Sequence, residues 1–224
     1  MKITRESLIV GAKKAQGLTV VIDVFRAFTT AAYVLSNGAK KIIPIGDLDK
    51  AFQLKGGNPE FILMGERKGI MVEGFDYGNS PYLIKDIDFS NKTVIMSTES
   101  GIQGIVNTKN ATEIIAGNFV CVNAIINYIK KLNPEVVTLV AMGEPGKKRD
   151  DEDEMCAQYI EDSLNGKSTN FENILTHLRN YKSAEKFFDK NQPEFPEGDF
   201  FCATDIDKFD FVLKVNDCLE IVKG

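Results

Sequence analysis

The apolar run Val20-Val21-Ile22 ends in a carboxylate, Asp23, and a guanidinium, Arg26, follows three residues later. Beyond them, Ala27-Phe28-Thr29-Thr30 reads as the start of a helix. In a parallel α/β sheet, ligands bind beyond the carboxyl ends of the strands. An Asp there can hold a hard cation or act as a nucleophile. An Arg beside it can grip a phosphate, sulfonate or carboxylate with two hydrogen bonds. Phosphoryl chemistry with a metal ion is the first chemistry this pattern suggests.

Four further segments carry suitable groups. Met64-Gly65-Glu66-Arg67-Lys68-Gly69 sets a carboxylate and two cations after an apolar run. Glu73-Gly74-Phe75-Asp76-Tyr77-Gly78-Asn79-Ser80-Pro81 is a polar loop in which Asn79 or Ser80 can cap a short helix opening at Pro81. Ser97-Thr98-Glu99-Ser100-Gly101 opens a helix whose backbone N–H groups and hydroxyls can hold an anion. Asp150-Asp151-Glu152-Asp153-Glu154 starts another helix. Acidic residues in a first turn stabilise the helix dipole by ~0.3–1 kcal/mol each and need no other role. Asp153, however, precedes Cys156, Ala157 and Ile160 at helical spacing, which aims it at the sheet. Asp151 and Glu154 are the positions expected to face solvent.

His177 is the only histidine. It lies in a helical stretch with Ile174, Leu175 and Leu178 facing inward, and a solvated imidazole is expected. One histidine cannot build a multi-histidine zinc site, and a Ser-His-Asp triad would rest on it alone. Acid–base or metal chemistry therefore falls to carboxylates. Cys121, Cys156, Cys202 and Cys218 form no C-x-x-C pair and are expected as free thiols in or near the core.

A net charge of −5 argues against nucleic-acid binding. No apolar run approaches the ~20 residues of a membrane span. Met1-Lys2-Ile3-Thr4-Arg5-Glu6 lacks the apolar core of a signal peptide, so a cytoplasmic location is expected.

Segments 18–23, 41–45, 60–64, 93–97, 111–116 and 136–142 read as strands, each a near-continuous apolar run of the kind covered on both faces. Segments 27–36, 48–54, 102–106, 122–132 and 153–164 read as helices between them. This alternation predicts an α/β fold, a three-layer α/β/α sandwich with a mostly parallel, mixed sheet in a single domain over 1–224. Segments 209–215 and 218–222 have strand character and are expected to add an antiparallel edge. The more polar stretch 165–199 is expected to hold two short helices and a loop.

In order and spacing, these motifs resemble the 2-phosphosulfolactate phosphatase family. The resemblance rests on Asp23-Val24-Phe25-Arg26-Ala27-Phe28-Thr29-Thr30, Gly65-Glu66-Arg67 and the specific run Glu73-Gly74-Phe75-Asp76-Tyr77-Gly78-Asn79-Ser80-Pro81. Thr98-Glu99-Ser100-Gly101, Gly117-Asn118-Phe119 with Asn123, Glu152-Asp153 with Cys156-Ala157, and Phe209-Asp210-Phe211-Val212 extend it over nearly the whole chain. It implies an α/β/α phosphatase that uses Mg²⁺ to hydrolyse 2-phospho-3-sulfolactate to 3-sulfolactate and phosphate, on a route to coenzyme M. Where members often read Thr-Thr-Asn-Gly-Thr-Arg, this chain has Glu99 inside the motif and Gln103 in place of the arginine. A related phosphorylated 2-hydroxy acid is therefore a second candidate substrate.

On this reading Asp23, Glu66 and Asp153 hold Mg²⁺, whose hard oxygen preference suits carboxylates. Arg26 and Arg67 bind the anionic groups of a small phosphate ester, with Asn79, Ser80, Thr98, Ser100, Gly101 and Asn123 around it. Asp76 supports the metal or serves as a general acid, and Asp23 is either ligand or nucleophile. The alternative is an anion-binding regulatory module of the same fold without turnover. No phosphate-binding Gly-x-x-x-x-Gly-Lys-Ser/Thr loop supports a phosphotransferase. The oligomeric state is open between monomer and homo-oligomer.

Overall fold

In the computed structural model, which describes residues 1–144 and 148–224, the chain opens with β1 (Lys2–Ser7) and α1 (Leu8–Lys14). It continues through β2 (Gly17–Ile22), α2 (Ala27–Ser36), β3 (Lys41–Pro44), α3 (Leu48–Gly57), β4 (Ile62–Arg67) and β5 (Ile70–Met71). A short α4 (Pro81–Ile84) precedes β6 (Thr93–Ser97), α5 (Gly101–Asn107), β7 (Ala111–Gly117), α6 (Val122–Leu132) and β8 (Val136–Ala141). Four helices follow: α7 (Asp151–Leu164), α8 (Phe171–Arg179), α9 (Lys182–Phe188) and α10 (Glu197–Thr204). The hairpin β9 (Leu213–Val215) and β10 (Ile221–Lys223) comes last.

The apolar runs behave as their composition requires. All five residues of β6 and all but the first of β2 are buried, as in a sheet covered on both faces. Local signals set the helix ends. The Asp47 side chain accepts from Lys50 N at α3, and Ser80 Oγ accepts from Leu83 N ahead of Pro81 at α4. Helix α6 stops at Asn133, whose φ of 44° is left-handed, with Pro134 next.

The fold is α/β, with strands in the order β1-β8-β2-β7-β9-β10-β3-β6-β4-β5. Two parallel blocks, β1-β8-β2-β7 and β3-β6-β4, are joined by β9 and β10 through three antiparallel pairings. Helix α2 packs against β3, α4 and α5. It buries nine of its ten residues, so it is enclosed on every side. A smaller apolar cluster of Ala51, Leu63, Phe75 and Ile95 lies under α3. Among the described residues no helix is long and apolar enough to cross a membrane.

Two details differ from the sequence-based expectation. The 209–222 region does not form a sheet edge. It lies inside the sheet between β7 and β3, because Leu213, Val215 and Ile221 are all needed to bridge the two blocks. The edges are instead β5, antiparallel to β4, and β1, in parallel register with β8 from Lys2–Val136 to Ser7–Ala141. The charged residues of β1 hide it as a strand and suit a sheet edge, where charge discourages pairing with another chain.

The interior position of β9 makes a specific demand on stability. Leu213 is fully buried and Leu219, in the hairpin turn, is half-exposed. Leu213→Ala is expected to cost ~2–5 kcal/mol. Leu219→Ala should cost well under ~1 kcal/mol. Urea denaturation of both variants checks this, and equal small losses would show that the strand is peripheral.

Candidate active site

Three carboxylates reach one cavity from three loops, and peptide N–H groups hold each of them. Asp23, just past β2, accepts from Ala27 N at 2.9 Å and from Gly101 N at 2.7 Å. Asp153, in the first turn of α7, accepts from Val24 N and Gly143 N, each at 2.8 Å. Glu66, near the end of β4, accepts from Gly69 N at 2.7 Å and Glu99 N at 2.9 Å. Every oxygen of the three thus has one protein donor and a lone pair left over. The same six bonds tie together the loops that follow β2, β4, β6 and β8.

Glycine is required where these loops meet. A side chain at Gly101 would bring its Cβ to 2.8 Å from Asp23 Oδ2. Gly143 has φ +60°, and a Cβ there would lie 2.2 Å from the Lys148 carbonyl oxygen.

The cavity holds about 610 Å³. Besides the three clamped carboxylates it is lined by Glu99, Glu144, Asp150 and Glu152, against Arg26, Lys68 and Lys186. Burial pushes Asp23 up to about 6, and the charge of Glu66 adds to the effect. Asp153 is held well above the usual carboxylate range by burial first, then by Asp23 and Glu152. Burial and the charge of Asp150 push Glu152 up to about 7. A site with this excess of negative charge disfavours an anionic ligand unless a cation enters as well.

Asp23, Glu66, Asp153, Arg26, Asn79 and Ser100 line the cavity. Gly101 contributes through its N–H to Asp23. Arg67, Ser80 and Thr98 lie behind the wall. Arg67 donates to the carbonyls of Glu66, Ser97 and Gly46 and to Ser97 Oγ, which fixes the ends of β4 and β6. Thr98 Oγ1 accepts weakly from Ile102 N at 3.4 Å. Asp76 and Asn123 lie outside the cavity. Asp76 accepts from Leu63 N and Lys55 Nζ and closes its loop back onto β4. Asn123 is bonded to Asp207. Gln103 donates to the Gly46 carbonyl, also outside.

Arg26 is held differently from the expected anion grip. Its Nη1 donates to Asp199 Oδ2 and the Glu194 carbonyl, and its Nη2 to the Gly69 carbonyl, all at 2.8 Å. Its guanidinium stacks 4.5 Å from the Phe195 ring centre. Asp199 also accepts from Ser80 Oγ at 2.6 Å. Arg26 is 3% exposed and Asp199 fully buried, so the pair braces the cavity wall.

Asp151 does not face solvent alone. It meets His177 Nε2 at 2.6 Å and so ties α7 to α8. Cys121, Cys156 and Cys202 are buried and Cys218 is exposed, all free.

Sequence reading missed Asp150, Glu152, Lys68, Lys186, Gln192 and Phe195 as lining residues. Glu152 sat within the acidic run but was indistinguishable there from a first-turn dipole partner. Lys186, Gln192 and Phe195 come from the polar 165–199 stretch, which carries no motif. Tertiary packing of Phe187 against Phe25 brings them in.

A family model described as 2-phosphosulpholactate phosphatase matches residues 4–217. A Bacillus subtilis (strain 168) protein named probable 2-phosphosulfolactate phosphatase is 34% identical over 201 residues, which is 88% of this chain and 86% of that protein. A protein of that name from Caldicellulosiruptor saccharolyticus is 37% identical over 64% of this chain and 60% of its own length. Another, from Carboxydothermus hydrogenoformans, is 42% identical over 54% of this chain and 50% of its own length.

The raised carboxylates fix the sign of the pH dependence of stability. The folded protein retains protons on Asp23 and Glu152 up to about 6 and 7, above their ordinary values of 3.8 and 4.5. Their favourable contribution is present at low pH and is lost as pH rises through that window. Chelator-treated protein should therefore melt at a higher temperature at pH 5.5 than at pH 7.5. The difference should be about 5 °C, since one pKa unit is worth ~1.4 kcal/mol and ~1 kcal/mol moves Tm by roughly 2–4 °C in a chain of this size. Calorimetry at both pH values tests it, and a lower Tm at pH 5.5 would contradict the assignment.

Proposed function

The chain belongs to the 2-phosphosulpholactate phosphatase family, and from that premise we propose that it hydrolyses the phosphate monoester of 2-phospho-3-sulfolactate, or of a related phosphorylated 2-hydroxy acid, with Mg²⁺ as cofactor. The observation that carries this reading is the set of Asp23, Glu66 and Asp153, clamped by peptide N–H groups on one cavity that is rich in carboxylates. Hydrolysis yields 3-sulfolactate and phosphate, which fits a step toward coenzyme M.

The donor set suits Mg²⁺. It consists of carboxylate oxygens without histidine or thiolate, the hard ligands this ion prefers. Among the described residues no three acidic, histidine or cysteine side chains, Asp23, Glu66 and Asp153 included, stand close enough together to hold an ion by themselves. Mg²⁺ does not require such a trio, since it commonly binds through one or two carboxylates, waters and substrate phosphate. When bound it supplies charge neutralisation and polarises a phosphoryl oxygen.

The chain's own residues do the rest. The peptide donors on Asp23, Glu66 and Asp153 leave each carboxylate one orientation in which to meet the ion. We assign Asp23 to ligand duty, because N–H bonds to both of its oxygens reduce their nucleophilicity. Asn79 is buried on the cavity wall with its Oδ1 unpartnered, a neutral polar group left for substrate. Ser100 faces the cavity with Oγ anchored to the Gly143 carbonyl at 2.5 Å. Arg26 keeps the wall in place through Asp199. The binding-module reading draws its support from Glu99, which adds a charge to the cavity lining, and phosphate release separates the two readings.

EDTA-treated protein should release no phosphate from 2-phosphosulfolactate, and Mg²⁺ should restore release. Asp153→Asn keeps the shape and removes a charge, so the Mg²⁺ concentration for half activation should rise at least tenfold with the fold intact by circular dichroism. The control is Asp217→Asn, in the exposed β9–β10 turn. Full activity in EDTA, or identical Mg²⁺ dependence in the two variants, would overturn the metal assignment.

Arg26→Lys tests the bracing role. It keeps the charge but loses the planar fork that reaches Asp199, Glu194 and Gly69 together. We expect a loss of ~1–3 kcal/mol in stability alongside a fall in kcat/KM. A fall in kcat/KM with unchanged urea stability would return Arg26 to direct anion binding.

A further inference from the structure

The two arginines that sequence patterning offers for anion binding both donate through their Nη atoms to protein groups, and Arg26 is already paired with Asp199. That leaves Lys68 and Lys186 as the cations of the cavity wall which make no ion pair among the described residues. Lys68 is exposed on the turn after β4. Lys186 is half-buried on α9, and its placement is built. Its helix is docked by buried Ala184 and Phe187. Its ammonium lies 5.1 Å from the centre of the Phe195 ring and 5.3 Å from that of Phe187. Phe195 in turn stacks on Arg26, whose partner Asp199 holds Ser80, the neighbour of Asn79.

Lys186 lines the same cavity as Asp23, Asp150 and Glu152 and forms no salt bridge with any of them. An ammonium held by aromatic rings at the mouth of an acidic cavity is available to a ligand. On the same wall the buried Asn79 Oδ1 has no partner, and as an acceptor it marks where a donor of the ligand would sit.

From this placement we infer that Lys186 is a specificity-determining residue, binding the sulfonate of the substrate (or the second carboxylate of a related ester) while the phosphate lies toward Asp23, Glu66 and Asp153. The inference rests on the phosphatase reading for the identity of the substrate. It adds that the segment carrying α9, and not the strand-end motifs, sets the preference for a polyanionic ester. A simple phosphate monoester offers Lys186 nothing to hold, whereas a phosphorylated sulfonate or dicarboxylate does.

The test compares wild type, Lys186→Gln, Lys186→Arg and the exposed, non-lining Lys190→Gln in Mg²⁺ buffer. Isothermal calorimetry measures binding of 3-sulfolactate and of lactate, which lacks the sulfonate, and steady-state kinetics measures KM and kcat for 2-phosphosulfolactate. We expect Lys186→Gln to weaken 3-sulfolactate binding and to raise KM at least tenfold, with kcat changed less than threefold. Its preference for 3-sulfolactate over lactate should collapse, Lys186→Arg should recover most of it, and Lys190→Gln should match wild type. If Lys186 only offsets the carboxylates, the preference for 3-sulfolactate will survive in Lys186→Gln, and the inference falls. It falls equally if wild type shows no preference to lose. Binding that depends on Lys186 without any phosphate release would overturn the phosphatase reading and leave the anion-binding role standing.

Discussion

The site depends on one kind of bond, a peptide N–H donated to a buried carboxylate oxygen. Six such bonds hold Asp23, Glu66 and Asp153. Each carboxylate is placed where desolvation opposes its charge, and the bonds only partly offset that penalty. The backbone must then be shaped to deliver the donors, which is why glycine occupies positions 101 and 143. The loops after β2, β4, β6 and β8 are held together less by apolar contact than by sharing these acids. Stability and function therefore draw on the same few hydrogen bonds, and the acids that strain the fold are the ones that make a cation welcome.

A second tier of polar contacts holds the frame. Arg26, Asp199 and Ser80, all buried, join the partly buried carbonyls of Gly69 and Glu194 in a knot that ties the β2 loop to the β4–β5 turn and α10. A buried ion pair of this kind is weak evidence for net stability. Its effect is to fix a relative position, here that of Phe195 and so of α9. Arg67 plays a similar part with the Ser97 and Gly46 carbonyls. Both arginines stand beside the functional acids in sequence, and both turn their donors toward protein.

What could be read from the sequence follows from the range of the interactions involved. Buried strands announce themselves as apolar runs, so β2, β6, β7 and β8 were visible. Asp23, Glu66 and Asp153 were visible because each stands at a strand end or on the apolar face of a helix. The edge strand β1 was not, since an edge is allowed to be polar. The β9–β10 hairpin was seen as strand but misplaced, because nothing local distinguishes an edge from a seam. Asp76 and Asn123 share motifs with lining residues, yet motif membership does not say which way a side chain points. Lys186 and Phe195 enter the site through long-range contacts, the docking of Phe187 on Phe25 and of Phe195 on Arg26, each joining residues more than a hundred apart in sequence.

The hairpin seam also has a consequence for the order of events during synthesis. Residues 213–223 lie between two blocks whose strands are all complete by residue 141. While the ribosome is still making the intervening helices, each block exposes an unpaired inner edge, at β7 and at β3. Those edges are satisfied only when β9 and β10 arrive and pair between them. A nascent chain halted anywhere before that point carries two open sheet margins and is a natural client for chaperones. Assembly of this sheet is thus closed by β9 and β10, which follow all its other strands in the sequence, and such contacts between distant parts of a chain slow folding.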